Sequence, residues 1–502
     1  MRRPVPPILP LLIVVSVYRL SLLGRGAMAF LDETLYYKAA LALQQLRLGD
    51  LSGSLAHLAS SNGRPGDTVL KLIPAALQGI PFAFGVAPSN PWSLMIPAVC
   101  NVIVSLVTLY LFFRICLVLF AGDRAVSIAA AAVYSLLVNT NAYVRHMLPY
   151  VWALSVGVCA LWLTLSRQPT PALAWRVGLL AGSVVTIYPG YYLLAGIPGV
   201  VLVGRDASAG SSERWRMAAG FVAGVVMVIA AFKILCRIGG ISYIATARTL
   251  SRTITQGSFE EGWVFLPRYL IEVERYAGAV LLSGIVVCLA RASSEVVRGR
   301  YPRQIHWLIF PAVAGWIWQA AAAYHGHTMV LYGRLIHAWM IFLVWALADA
   351  IAWARPGAVR SALCVVAVGA AAISLGRPAY DYYRLAYPAD VLYELGIDTA
   401  LLPASNMRCE MQPIYSYASP APLNRETGYP YKRTANYLLI NFCQGVPGPG
   451  RLERVPVSPD TRPIYEAAHF MTFPAYGFEG LGPEDRREMR RRGYEVRAYQ
   501  IR

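Results

Sequence analysis

The sequence predicts a polytopic α-helical membrane protein with a soluble α/β domain at its C-terminus, and three observations carry that expectation. Of its 502 residues, 57% are hydrophobic and only 14% are charged, with a mean hydropathy of +0.47. The apolar residues gather in membrane-length blocks rather than in narrow amphipathic stripes. The net charge of +18 belongs to the first three quarters of the chain: up to residue 376 there are 29 basic against 13 acidic residues, and beyond it 16 against 14. An excess held in short connections between apolar runs fits membrane loops and argues against a nucleic-acid-binding surface.

Eleven runs read as spans, near 8–24, 93–120, 125–140, 149–166, 172–187, 188–204, 217–235, 272–290, 305–323, 334–353 and 361–376. With a cytoplasmic N-terminus, the inner connections carry Arg124; Arg167 and Arg176; Arg205, Arg214 and Arg216; Arg291, Arg298, Arg300 and Arg303; and Arg355 and Arg360. Every inner turn is then positive, as the plasma (inner) membrane requires. The loop 25–92, the turn 141–148, the loop 236–271, the turn 324–333 and the C-terminal segment fall on the outer side. Arg2-Arg3, the first run and Ala27-Met28-Ala29 also fit a secretory signal, but the run exceeds a usual signal core and is taken as a retained helix. The run at 69–86 contains Lys71, Pro74, Gly79 and Pro81. Counting it as a span would invert every later loop, so it reads as a re-entrant or amphipathic surface helix. Tyr188-Pro189-Gly190 is either a turn between two short spans or a break within one long helix.

These runs divide the chain into a transmembrane domain, 1–376, and an extracytoplasmic domain, 377–502. In the second, ANYLLINFCQ (435–444) reads as a strand, and the last twenty residues as a helix followed by an alternating strand. Cys409 and Cys443 are its only cysteines; on an oxidising face they are able to pair, although sequence does not establish the bridge.

The candidate chemistry lies in the outer connections. Asp32-Glu33 follows the first run, and Tyr36, Ala39, Ala40, Leu43 and Leu46 recur after it at helical spacing. Two readings are open: the acids cap a surface helix, or a carboxylate at the bilayer surface acts as a general base. Arg64, Asp67 and Lys71 surround an enforced Pro-Gly turn, with cations at phosphate depth or simply snorkelling. Arg145 and His146 occupy the next outer turn, and Arg268 closes a longer loop. His325, His327, Tyr332 and Arg334 crowd YHGHTMVLYGR. The His-x-His pair lacks nearby Cys or carboxylate ligands, so no metal and no other cofactor is assigned. Together these groups set a carboxylate pair among cations at one depth. That arrangement suits sugar transfer from a polyprenyl phosphate, with the carboxylate taking the acceptor proton and the cations stabilising the departing phosphate.

The chain resembles the GT-C superfamily of membrane glycosyltransferases, in the branch of protein O-mannosyltransferases and lipid A aminoarabinose transferases. The resemblance rests on a first helix, an outer loop with Asp32-Glu33-x-x-Tyr36, a Pro-containing surface helix and a second outer loop with Arg145, over roughly the first 350 residues. It implies an inverting transferase using a polyprenyl-phosphate sugar, with Asp32 as base and Glu33 as substitute or positioning group. The cations would bind donor phosphate, with Tyr36, Asp67, His325 and His327 positioning substrate. Arg64-Pro65-Gly66 replaces the His-Pro-Pro of many relatives, which leaves the acceptor class open among glycan, lipid and protein, and no Asp accompanies Arg145-His146, so no metal role carries over. Two other functions fit the same loops: a flippase or transporter of lipid-linked glycans, and a glycan polymerase.

Overall fold

The computed structural model describes residues 7–24, 36–59, 64–85, 91–144, 146–205, 210–255, 262–299 and 303–383, together with five strands further on. Seventeen helices are present among them: α1 (Leu9–Ser21), α2 (Tyr36–Arg47), α3 (Leu51–Ala59), α4 (Pro65–Ala83), α5 (Pro91–Leu119), α6 (Arg124–Leu136), α7 (Val138–Ala142), α8 (Tyr150–Ser166), α9 (Pro171–Ile187), α10 (Tyr192–Gly204), α11 (Ser211–Ile238), α12 (Tyr243–Thr255), α13 (Phe265–Tyr269), α14 (Arg275–Val297), α15 (His306–Tyr324), α16 (Gly333–Trp353) and α17 (Ala358–Tyr383). Among the described residues, five segments are long and apolar enough to cross a membrane: Met95–Leu119, Ser211–Ile238, Gly262–Val297, Gly333–Trp353 and Ala358–Tyr380. This is a helical membrane protein. The other apolar runs correspond to α1, α6, α8, α9, α10 and α15.

Local chemistry sets several boundaries. Asp123 caps α6 by accepting the Val126 N–H at 3.1 Å, and its other oxygen accepts from Arg360 at 2.8 Å, tying the start of α6 to α17. Thr170 caps α9 through Leu173 N–H at 3.1 Å, with Pro171 at the first helical position where no donor is needed. Tyr188-Pro189-Gly190 separates two helices, because α9 stops at Ile187 and one 3-10 turn leads into α10. Backbones of α9 and α11 cross so closely that a Cβ at Gly178 would lie 2.1 Å from the Phe221 carbonyl oxygen, and one at Gly224 2.3 Å from that of Trp175. Only glycine permits that approach, and such small-residue contacts are how membrane helices associate.

The core is organised around α16, whose apolar window is 89% buried, against 11% for α11. Trp345 on α16 stacks on Phe112 of α5 at 5.3 Å, which stacks in turn on Tyr134 of α6 at 4.8 Å. Between α13 and α14 the chain makes one π-helical turn, Leu270–Glu274, and passes through Arg275 at φ 49°. The strands β1 (Leu402–Ser405), β2 (Ile414–Ala418), β3 (Tyr437–Asn441), β4 (Tyr465–Ala468) and β5 (Glu495–Gln500) form an antiparallel sheet in the order β1-β2-β3-β5-β4. The two strands expected from sequence are its adjacent β3 and β5. The expected terminal helix, Cys409 and Cys443 lie outside the described residues.

Candidate functional site

One end of the bundle gathers the starts of α4, α8 and α16 with the end of α9. Helices α2 and α4 arrive first. Tyr36 is buried on α2 and donates its hydroxyl to Gln78 of α4. Tyr36 and Ala39 pack with Ala75 and Met147, joined by Ala40, Leu43 and Leu72. Leu46, expected on the same stripe, is exposed instead, because the packed face ends one turn earlier. α4 belongs to this layer and is not among the five membrane-length segments. A Cβ on Gly66 would lie 2.8 Å from Thr186 Oγ1 and 2.9 Å from the Thr186 carbonyl carbon, so the first turn of α4 sits directly against the end of α9.

Four charged side chains are buried there: Lys38, Arg64, Asp67 and Lys71. Lys71 Nζ donates to Asp67 Oδ2 at 2.9 Å with both side chains enclosed. Burial first, and then the Arg64 and Lys71 cations, pull the Lys38 amine down to about 7, partly opposed by Asp67. Burial and Lys38 likewise push the His57 imidazole below its usual range. The ordinary lysine value is 10.5, so from about pH 7 to that value the unfolded chain binds more protons at Lys38 than the folded chain. Stability should therefore rise with pH across this window. Lys38→Met is expected to flatten the rise, read as the difference between wild-type and variant thermal midpoints from pH 7 to 10; parallel curves would refute the assignment.

From this cluster an aromatic chain runs inward. The Arg64 guanidinium lies 5.3 Å from the Tyr188 ring centroid. Tyr188 meets Tyr150 edge-on at 4.8 Å and Tyr191 at 4.9 Å. Tyr150 Oη accepts from Arg334 Nη1 at 2.8 Å, and the Arg334 guanidinium stacks 4.7 Å from the Tyr332 ring. Tyr191 donates to the Arg334 carbonyl at 3.0 Å. Tyr143 then joins Tyr150 to His337, at 5.5 Å from each.

The innermost part is polar. Glu274 is fully buried, and its oxygens accept Val138 N–H at 2.9 Å and Asn139 N–H at 2.7 Å, the first two donors of α7. The Asn139 amide donates to Tyr269 Oη and, at 3.3 Å, to the Gly333 carbonyl. Its oxygen lies 2.8 Å from His337 Nδ1. Because the amide nitrogen is committed as a donor, His337 must carry a proton on Nδ1.

The sequence-predicted residues thus divide. Arg64, Asp67, Lys71, Tyr332 and Arg334 join one contact chain, with Tyr36 anchoring α2 to α4 beside it. His325 is exposed beside Trp263, whose indole N–H lies 3.4 Å from Nε2, and His327 is exposed at φ 45°; neither ring has a described contact with the chain of tyrosines. Arg268 is half-buried on α13. His146 is fully enclosed, with its carbonyl accepting from Asn101. Asp32, Glu33 and Arg145 lie outside the described residues. The residues not anticipated are Lys38, Asn139, Tyr143, Tyr150, Tyr188, Tyr191, Glu274 and His337. A signal existed for Lys38: it and Lys71 are two of only four lysines among 45 basic residues. No protein-family model, curated protein or solved structure matches the chain.

Proposed function

We propose that the chain is a membrane glycosyltransferase of the GT-C kind, moving a sugar from a polyprenyl phosphate to an acceptor hydroxyl at the outer face of the plasma (inner) membrane. In this reading eleven helices span, the N-terminus is cytoplasmic, and residues 377–502 form an extracytoplasmic α/β domain. The supporting observation is the continuous contact from Arg64 through Tyr188 and Tyr150 to Arg334. It links cations that are 270 positions apart, from two connections assigned to the same side. Phosphate oxygens would be held by Arg64, Lys71, Lys38 and Arg334, while the tyrosine rings exclude water and strengthen those interactions. Asp32 would take the acceptor proton as the acceptor oxygen attacks the anomeric carbon and the lipid phosphate departs with the bonding electrons. The end that carries Arg291, Arg303 and Arg360 lies opposite and would face the cytoplasm.

Transport of a lipid-linked glycan is the second reading, favoured by the buried Glu274 and the π-turn at its helix, since ionisable groups inside a bundle often mark a path. The experiment is mass spectrometry of the lipid that co-purifies with the protein, followed by incubation of the purified protein and that lipid with glycan, lipid and protein acceptors. A transferase yields free polyprenyl phosphate and a glycosylated acceptor. Translocation in vesicles without any sugar transfer would replace this reading with transport.

A further inference from the structure

At the arginine-rich end, side chains with metal-ligating atoms converge from three helices. Cys288 of α14, His306 of α15 and Asp349 of α16 have ligand atoms all within 4.8 Å of one another. They are 1%, 1% and 0% exposed. His306 Nδ1 is enclosed without a hydrogen-bond partner, a costly state for a ring nitrogen with a lone pair or a proton to place. Glu295 Oε2 stands 3.6 Å from that nitrogen, beyond hydrogen-bonding reach. Arg303 and Arg291 approach Asp349 Oδ1 at 3.0 and 3.5 Å, and both also approach Glu295.

We infer that Cys288, His306 and Asp349, with Glu295 as the fourth ligand, form a zinc site that clamps the ends of α14, α15 and α16. Thiolate, imidazole and carboxylate together are the ligand set zinc accepts in a closed tetrahedron. Metal–ligand bonds of about 2.0–2.3 Å place tetrahedral ligands roughly 3.3–3.8 Å apart, so Cys288, His306 and Asp349, within 4.8 Å of one another, must draw together by about 1 Å, and Glu295, which lies outside that trio, must swing in to join them. Charge dictates the rest. Two arginines balance Asp349 and Glu295 before metal enters; zinc brings two positive charges and the Cys288 thiol gives one proton to water, so one arginine must leave. Arg303 is the one that moves, because its side chain is 38% exposed, whereas Arg291 is 18% exposed and sits 5.8 Å from the Trp353 ring. The inference does not depend on the transferase reading, although α16 carries Arg334 and His337 at its other end.

Cobalt(II) titrated into the purified full-length protein is the test. One equivalent should bind, giving a near-ultraviolet thiolate charge-transfer band and the visible bands of tetrahedral cobalt, and zinc should displace it. Cys288→Ser should abolish the thiolate band, while Cys364→Ser, half-buried on α17, should retain it. Should Cys288→Ser fail to fold, His306→Gln keeps the thiol and must lose the tetrahedral visible bands. Arg303→Gln removes the competing cation and should tighten cobalt binding by about tenfold. A wild-type protein without the thiolate band, a band that survives Cys288→Ser, tetrahedral bands that survive His306→Gln, or unchanged affinity in Arg303→Gln would overturn the assignment.

Discussion

Asp32→Asn is expected to lower sugar transfer by on the order of 10²–10⁴-fold, the usual contribution of a positioned general base, while the protein still inserts and folds. The substitution keeps the size of the side chain and its ability to accept a hydrogen bond, so a helix cap at this position would survive it nearly intact. Capping and catalysis, which sequence leaves together, are thereby separated. Further along the same segment Tyr36 is buried and bonded to Gln78, and Lys38 is buried among Arg64, Asp67 and Lys71. In the proposed reaction an acceptor would give its proton to Asp32 while those cations hold the donor phosphate. Release of labelled sugar onto acceptor by detergent-purified protein measures the effect, with co-purified donor lipid as the control for binding. Transfer at the wild-type rate would remove Asp32 as base; loss in Glu33→Gln alone would pass the role to its neighbour.

The helices were legible because a membrane imposes a strong condition on sequence: each crossing needs a long apolar run. Each of the eleven runs contains a helix and the Pro-Gly at 189–190 announced the break between α9 and α10, whereas the run 125–140 breaks at Leu137 between α6 and α7 with no such signal in the sequence. The rim of the site was legible for a related reason, since Arg64, Lys71 and Arg334 are charges beside apolar runs. Its interior was not. Tyr150, Tyr188 and Tyr191 sit within or between hydrophobic stretches, where tyrosine also serves as ordinary filler, and only the tertiary fold sets their rings edge to edge. Lys38 read as one residue of an amphipathic helix; its enclosure depends on α4 folding back over α2. His146 looked like a titratable ring on an outer turn, and the tertiary fold encloses it, with its carbonyl accepting from Asn101 of α5. Glu274 fell at the start of an apolar run and resembled a boundary charge, because nothing in its neighbourhood signals that α7, more than a hundred positions earlier, supplies its partners.

That partnership makes Glu274→Gln the second substitution with a large expected effect. α7 has no side-chain cap of its own, since Leu137 occupies the N-cap, and Glu274 supplies both missing acceptors from another part of the chain. Glutamine keeps one acceptor oxygen but turns an NH₂ group toward the second backbone N–H, so one charge-assisted bond is lost and a donor faces a donor. Bonds to a charged group contribute about 1.5–3 kcal/mol each, and a buried unsatisfied donor costs a further 1–3, so destabilisation of about 2.5–6 kcal/mol is expected. The consequence should reach Arg334, because Asn139, whose N–H Glu274 holds, donates to the Gly333 carbonyl and contacts His337 on α16. Glu274→Gln is therefore expected to lower the thermal midpoint of the purified protein and to weaken retention of the co-purifying lipid. Glu213→Gln on the exposed first turn of α11 should do neither. Equal midpoints for the two variants would mean that α7 holds its place without the carboxylate. A lowered midpoint with undiminished lipid would confine Glu274 to stability and detach it from the Arg334 site.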